Sequence, residues 1–243
     1  MRFVVVLLLF TSQVFTSQAI AAPVFVRVGA GDERGRDTAV RDRDCTATQP
    51  PALFGCGFEA AGDFGRGPSF EVAAGTGSRA RVELALAYRA LDLDATANFT
   101  GVPGDQPVRA EGRSLSATVN GTLELTPQPW RVRAFLTAGA GVARNTTGEV
   151  VYSFPGIGDD AVTIARGGAH TGFAWNAGLG ATFAVTDTLS LDLAFRHTDL
   201  GTVRSPRGVA RIVRPTRTLE LEIDETRARA ATRGVTLSLR WTR

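Results

Sequence analysis

Eight charged residues carry the only chemistry worth assembling in this chain: Glu71, Arg81, Glu83, Glu124, Arg133, Asp192, Arg196 and Arg240. Asp192 and Arg196 share the segment LSLDLAFRHTDLG (189–201), two alternations apart, so an extended backbone projects them from one side. Carboxylates and guanidiniums in one place can exchange protons, select ions in a pore, or neutralise each other inside a wall. Buried charges must be paired, and no nucleophile–base constellation accompanies these eight. The expectation is an interior ion-pair network with no catalytic residue.

The other candidates are weaker. His170 and His197 are the only histidines, and His197-Thr198-Asp199 lacks a serine two residues on that would make it a hydrolase motif. Two distant histidines and two cysteines make no metal site, and no cofactor is expected. Cys45 and Cys56 flank Pro50-Pro51; in an exported protein an even cysteine count reads as a disulfide. From 204 to 217 the chain holds Arg204, Arg207, Arg211, Arg214 and Arg217 with no acid, a candidate contact for the phosphates of lipopolysaccharide. The acidic stretch that follows, with Glu220, Glu222, Asp224 and Glu225, offers the alternative of a hairpin with cross-strand ion pairs. Asn98-Phe99-Thr100, Asn120-Gly121-Thr122 and Asn145-Thr146-Thr147 match a glycosylation sequon by composition alone, and Gly29-x-Gly31 with Gly35 has the wrong spacing for a dinucleotide loop.

What positions these residues is set by the start of the chain and by a repeated alternation. Arg2 precedes the apolar run Phe3–Phe10, then a polar stretch and Ala19-Ile20-Ala21, so residues 1–21 read as a secretory signal peptide and 22–243 as the mature domain. No later run is apolar enough for a transmembrane helix, which leaves export as a soluble protein or insertion as a β-barrel. All 27 basic residues are arginine, and a net charge of +3 argues against a nucleic-acid partner.

Period-two alternation recurs at 81–89, 115–125, 132–143, 173–183 and 189–196, with weaker versions at 24–31, 69–76 and 234–241, which gives eight strands. Three connections are tight: Gly77-Ser78-Arg79, Thr126-Pro127-Gln128-Pro129 and Val185-Thr186-Asp187-Thr188. Four are long and polar, roughly 32–66, 92–111, 145–170 and 200–230. One strand face is Leu, Val and Ala, with Tyr88, Trp130, Phe173, Trp175, Phe195 and Trp241 towards the strand ends. The other mixes small residues with the eight charges. A bilayer would oppose arginine on its own side by ~2–4 kcal/mol near the midplane, so the charged face points inward. The fold class expected is all-β, an eight-stranded antiparallel up-and-down transmembrane β-barrel with four long extracellular loops and three short periplasmic turns.

With these residues in view, the chain resembles the small outer-membrane barrels grouped with opacity proteins and the transmembrane domain of outer-membrane protein A. The resemblance covers about residues 24–241 and is carried by LTAGAGVARN (136–145) and FAWNAGLGATFAVTDTLSLDLAFRHTDLG (173–201). Where such barrels end on an aromatic residue, this one ends Trp241-Thr242-Arg243. The resemblance implies residence in the outer membrane of a Gram-negative bacterium, contact with its lipids, and a monomer. The function expected is that of a surface or envelope-structure protein. A narrow channel for small solutes is the alternative, and an enzyme on the lipid-facing wall a third reading.

Overall fold

Alternation becomes sixteen antiparallel strands among the residues that the structure, a computed structural model, describes: 22–99, 101–126 and 130–243. The expected signal peptide (1–21) lies outside the described residues, as do residues 127–129 of the second tight turn. Eight long strands form the wall: β1 (Val24–Gly35), β4 (Arg66–Gly77), β5 (Ala80–Ala90), β8 (Gly112–Glu124), β9 (Val132–Thr147), β12 (Gly168–Ala184), β13 (Leu189–Ser205) and β16 (Thr226–Thr242). Each pairs with the next, and β1 closes on β16 in register from Phe25↔Thr242 to Gly35↔Thr232. Closure leaves this wall without an open edge.

The wall is inside-out relative to a soluble protein. Val82 and Leu84 are 56% and 57% exposed, while Glu83 between them is 7% exposed. The same exposed valines and leucines run right round the barrel. The largest apolar patch on a typical soluble monomer is ~300–600 Å²; a complete belt is the hydrocarbon-facing surface of a transmembrane barrel. Trp130 and Trp241 sit at the tight-turn end of the belt, and Phe70, Tyr88 and Phe173 towards the other, as an aromatic girdle requires.

Hydropathy then changes phase along single strands. On β16 the outward residues Trp241, Leu239, Leu237 and Val235 give way to Arg233, Arg229 and Arg227. The inward residues pass from Arg240, Ser238 and Thr236 to Ala230 and Ala228. Below Arg233 the strand is built for lipid outside; above it, for water outside and an apolar core within.

That upper core corrects the expectation of long polar loops. The barrel strands run further than their alternation suggests, and the connections between them carry eight short strands. These are β2 (Thr38–Asp42), β3 (Ala60–Asp63), β6 (Leu93–Ala97), β7 (Gln106–Ala110), β10 (Val150–Ser153), β11 (Val162–Ala165), β14 (Gly208–Arg214) and β15 (Arg217–Ile223). They zip together in that order, and β2 joins β16 through Arg227↔Arg41 and Thr226↔Asp42. Leu91, Leu93, Val108, Val150, Tyr152 and Ile223 fill the space they enclose.

A cap closes this head. Residues 43–59, stapled by the Cys45–Cys56 disulfide, reach every other long connection: Phe54 stacks on Phe99 (5.0 Å) and meets Tyr152 edge-on (5.7 Å), and the Pro51 carbonyl accepts the Asp224 N–H (3.0 Å). Buried Asp42 holds the cap by accepting the N–H groups of Leu53, Phe54 and Gly55 at 2.8–2.9 Å. Burial among these rings pushes the Tyr152 phenol up from its ordinary pKa. Sealing Phe54 away from water contributes ~1.5–3 kcal/mol.

Asp42→Ala removes one acceptor from three buried or half-buried donors, at about 1–3 kcal/mol of local stability. Limited proteolysis of the refolded protein should cut the variant within residues 43–59 while the membrane-spanning strands stay intact. Loss of the whole barrel at the same protease dose would contradict a cap held separately from the wall.

Candidate functional site

The barrel interior is built by phase. Val24, Val26 and Val28 face lipid, so Phe25 and Arg27 must face in; Leu193 and Phe195 face lipid, so Asp192 and Arg196 face in. All eight charges singled out from the sequence point into the barrel, and seven are 7% exposed or less. Arg133, at the tight-turn end, is half-buried.

These groups stack in layers. Nearest the tight turns, Arg240 donates to Asp192 (3.0 Å), which also accepts the Thr182 hydroxyl (2.6 Å). Beside it Glu124 is shared by Arg81 (2.8 Å) and Arg133 (3.3 Å). Phe25 and Phe135 floor this layer, with the Arg240 and Arg81 guanidiniums 5.7 and 5.8 Å from their ring centres. In the middle, Arg27 lies between two carboxylates, Glu71 at 2.6 Å and Glu83, to which it donates from Nε (3.2 Å) and Nη2. Glu71 turns its second oxygen to Arg196 (2.5 Å). Glu83 also accepts from Asn120 (3.3 Å), which in turn accepts from Asn176 (2.9 Å).

Sequence reasoning missed three members. Arg27 is the hub, and Arg89 with Glu33 (2.9 Å) forms a further layer, joined by Ser116 and Thr232. The phase of β5, where Arg89 continues the series Arg81, Glu83, Ala85, Ala87, points to one of them; on β1 only Val24, Val26 and Val28 mark the face opposite Arg27. With these, six arginines (27, 81, 89, 133, 196, 240) meet five carboxylates (33, 71, 83, 124 and 192). A cavity between the middle and lower layers, lined by Arg27, Glu83, Asp192 and Arg240, holds 20 Å³, room for about one water.

The remaining candidates are dispersed. His197 is half-buried on the outer face, edge-on to Trp175 (5.3 Å). Asp199, two residues on, is committed to Arg229 and the Gly201 N–H (2.9 Å). His170 pairs in register with Asn145 on β9. Among the described residues neither histidine has a carboxylate at ion-pair distance. The fourth connection is a hairpin: β14 pairs β15 with Arg211 opposite Glu220. In it Arg207 donates to Glu222 (2.9 Å), and at the end of β13 Arg204 lies 3.2 Å from Glu225. Arg214 does not face outward; its guanidinium lies 4.7 Å from the Phe154 ring centre and donates to the Val162 and Val213 carbonyls. Arg211 and Arg217 are exposed, at the outer face and tip of the hairpin.

No family model matches the chain, and no curated protein sequence matches it. Solved structures do. The outer membrane protease OmpT from Escherichia coli superposes with a TM-score of 0.52 at 10% identity, over 94% of this chain and 99% of that one. OprG from Pseudomonas aeruginosa gives 0.47 at 11%, over 91% and 96%. Neisserial surface protein A gives 0.40 at 14%, over 88% and 95%. At such identities the likeness is one of fold, and the fold is that of the outer-membrane β-barrels.

Replacing the hub tests the stack. Arg27→Met strands the buried Glu83 and half of Glu71, and should cost about 3–5 kcal/mol, as for one broken partner of a buried pair. Adding Glu83→Gln should restore part of that loss, because the two side chains act as a unit. Urea unfolding of the refolded protein in micelles reads both; additive losses would mean that the pair does not interact.

Proposed function

We propose that the protein is an outer-membrane surface protein: a barrel, plugged along its length, that anchors a folded head on the outside of the cell. The observation that carries this is the filled lumen. Buried ion pairs cross the membrane-spanning part, with a cavity of only 20 Å³ between their layers, and above them an apolar core with a disulfide-stapled cap occupies the head. Desolvated ion pairs that satisfy one another hold the wall rigid and leave no continuous path for hydrated solutes. This favours the surface-protein reading over a channel.

A non-enzymatic role is part of the same proposal. OmpT is a protease by name, but the two histidines here lie apart and unpartnered by carboxylate among the described residues. The interior carboxylates are each held by arginine, which keeps them from acting as free acids or bases. The partners that fit the belt are membrane lipids, and a closed wall needs no second subunit to satisfy its edges. The loop-four arginines support a hairpin in which Arg204 and Arg207 are already paired, so the lipopolysaccharide role first considered for them is the lesser reading.

Planar-bilayer recording of the refolded protein decides between plug and pore. No steady conductance is expected from the wild type across a wide voltage range. Asp192→Ala together with Glu71→Ala, which removes a carboxylate from each of two layers and strands Arg240 and Arg196, should produce leak. Discrete, stable openings in the wild type would overturn the proposal in favour of the channel.

A further inference from the structure

The outer face carries arginines that the interior does not use. On β16 the first outward residue above the lipid belt is Arg233, about 7 Å along the strand from Val235. Directly opposite it on β1 is Arg34, and opposite Arg34 on β4 is Arg66. Three guanidinium-bearing side chains therefore stand in one row across three adjacent strands, at the position where the apolar face of β16 ends. Like charges directly opposite one another destabilise a sheet. The carboxylates at hand answer only part of this: Asp32 pairs with Arg66, and Asp63 lies 3.6 Å from Arg34. Arg233 has no carboxylate partner among the described residues, and exposed Arg36 sits beside it, its N–H on the Ala231 carbonyl (2.8 Å).

A second row repeats the arrangement on the same side of the molecule. Arg204 on β13, Arg227 on β16 and Arg41 on β2 are directly opposed, six residues or about 20 Å further along β16 from the first row; Glu225 answers Arg204 and Glu59 answers Arg41, which leaves Arg227 without a carboxylate among the described residues. Arg41 and Arg227 also line an open groove of 570 Å³, together with Arg43 and the carboxylates of Asp42 and Glu59.

We infer that this face of the barrel, around β1 and β16, docks a phosphorylated glycolipid of the outer leaflet. Its acyl chains lie on Val28, Val72 and Val235, its headgroup phosphates on the row Arg66–Arg34–Arg233, and an anionic group of its saccharide at Arg227 and the neighbouring Arg43. Guanidinium forks match phosphate oxygens bidentately. A dense phosphate charge supplies the anions that Arg233 and Arg227 lack. Two rows separated along the membrane normal fit a lipid with anionic groups along its sugar, where a simple phospholipid would use only the first. Lipopolysaccharide has this chemistry. The inference rests on the barrel lying in an outer membrane, and it involves a different surface from the loop-four hairpin.

The test is native mass spectrometry of the refolded protein released from micelles doped with lipopolysaccharide or, at equal mole fraction, with phosphatidylcholine. Wild type should retain lipopolysaccharide in preference, with retention falling as salt rises. Arg34→Gln/Arg66→Gln/Arg233→Gln should lower retention about tenfold, while Arg207→Gln/Arg211→Gln/Arg217→Gln on the hairpin leaves it unchanged. Inorganic phosphate should displace little of it, because the acyl chains contribute through the belt. Equal retention of both lipids, or an effect of the hairpin variant alone, would overturn the docking face while leaving the barrel intact. Failure to form a heat-modifiable barrel in either micelle would instead remove the outer-membrane reading on which it rests.

Discussion

An arginine inside a narrow lipid-encased tube has to meet a carboxylate, and most of this structure follows from that requirement. Leaving one buried charge unpaired costs several kcal/mol, comparable with the whole stability of an ordinary domain. Arg27 therefore fixes the spacing of β1 from β4 and β5, which carry Glu71 and Glu83, and Glu71 passes the constraint across the lumen to Arg196 on β13. Packing such long side chains needs room on the inner wall. Gly139 provides it opposite Asn120, where a β-carbon would overlap the amide, and Gly180 provides it for the Phe135 ring.

The head obeys the opposite rule on the same strands. Once the wall rises out of lipid, water takes the outside and the lumen can hold apolar groups. Arginine moves outward and alanine inward on β16 within a few residues. Asp42 is a charge buried against that upper core, and three backbone N–H groups of the cap surround it. A polar step between the two regimes is supplied by Asn145, which donates to the Leu200 and Thr202 carbonyls across the β13 irregularity between Asp199 and Gly201.

The sequence is most legible where lipid and charge give the alternation its contrast. Val82 to Tyr88 and Leu189 to Phe195 announce both their strands and their inner faces. Contrast fails at Gly29-Ala30-Gly31, which blurred β1 and hid Arg27. It fails again above the membrane, where Ala228 and Ala230 alternate with arginine and the strand looks like a loop. The head strands give little contrast because they are short and many of their inward residues are alanine, as in Leu93–Ala97. Yet Leu93, Ala95 and Ala97 against Asp94 and Thr96 is the same period in the soluble phase. The side to which Arg214 turns depends on the register of β14 with β11 and β15, a long-range property that composition does not carry.

The central claim, a dry and mutually paired interior, is open to direct measurement by NMR of the arginine side chains in the refolded barrel. Exchange of the Nε–H protons of Arg27, Arg89 and Arg240 with solvent reports whether water reaches them. Exchange slowed by orders of magnitude relative to exposed Arg34 and Arg233, and unchanged by added salt, is the result the account predicts. Exchange as fast inside as on the outer face would contradict it, and would mean that these charges line a water-filled lumen.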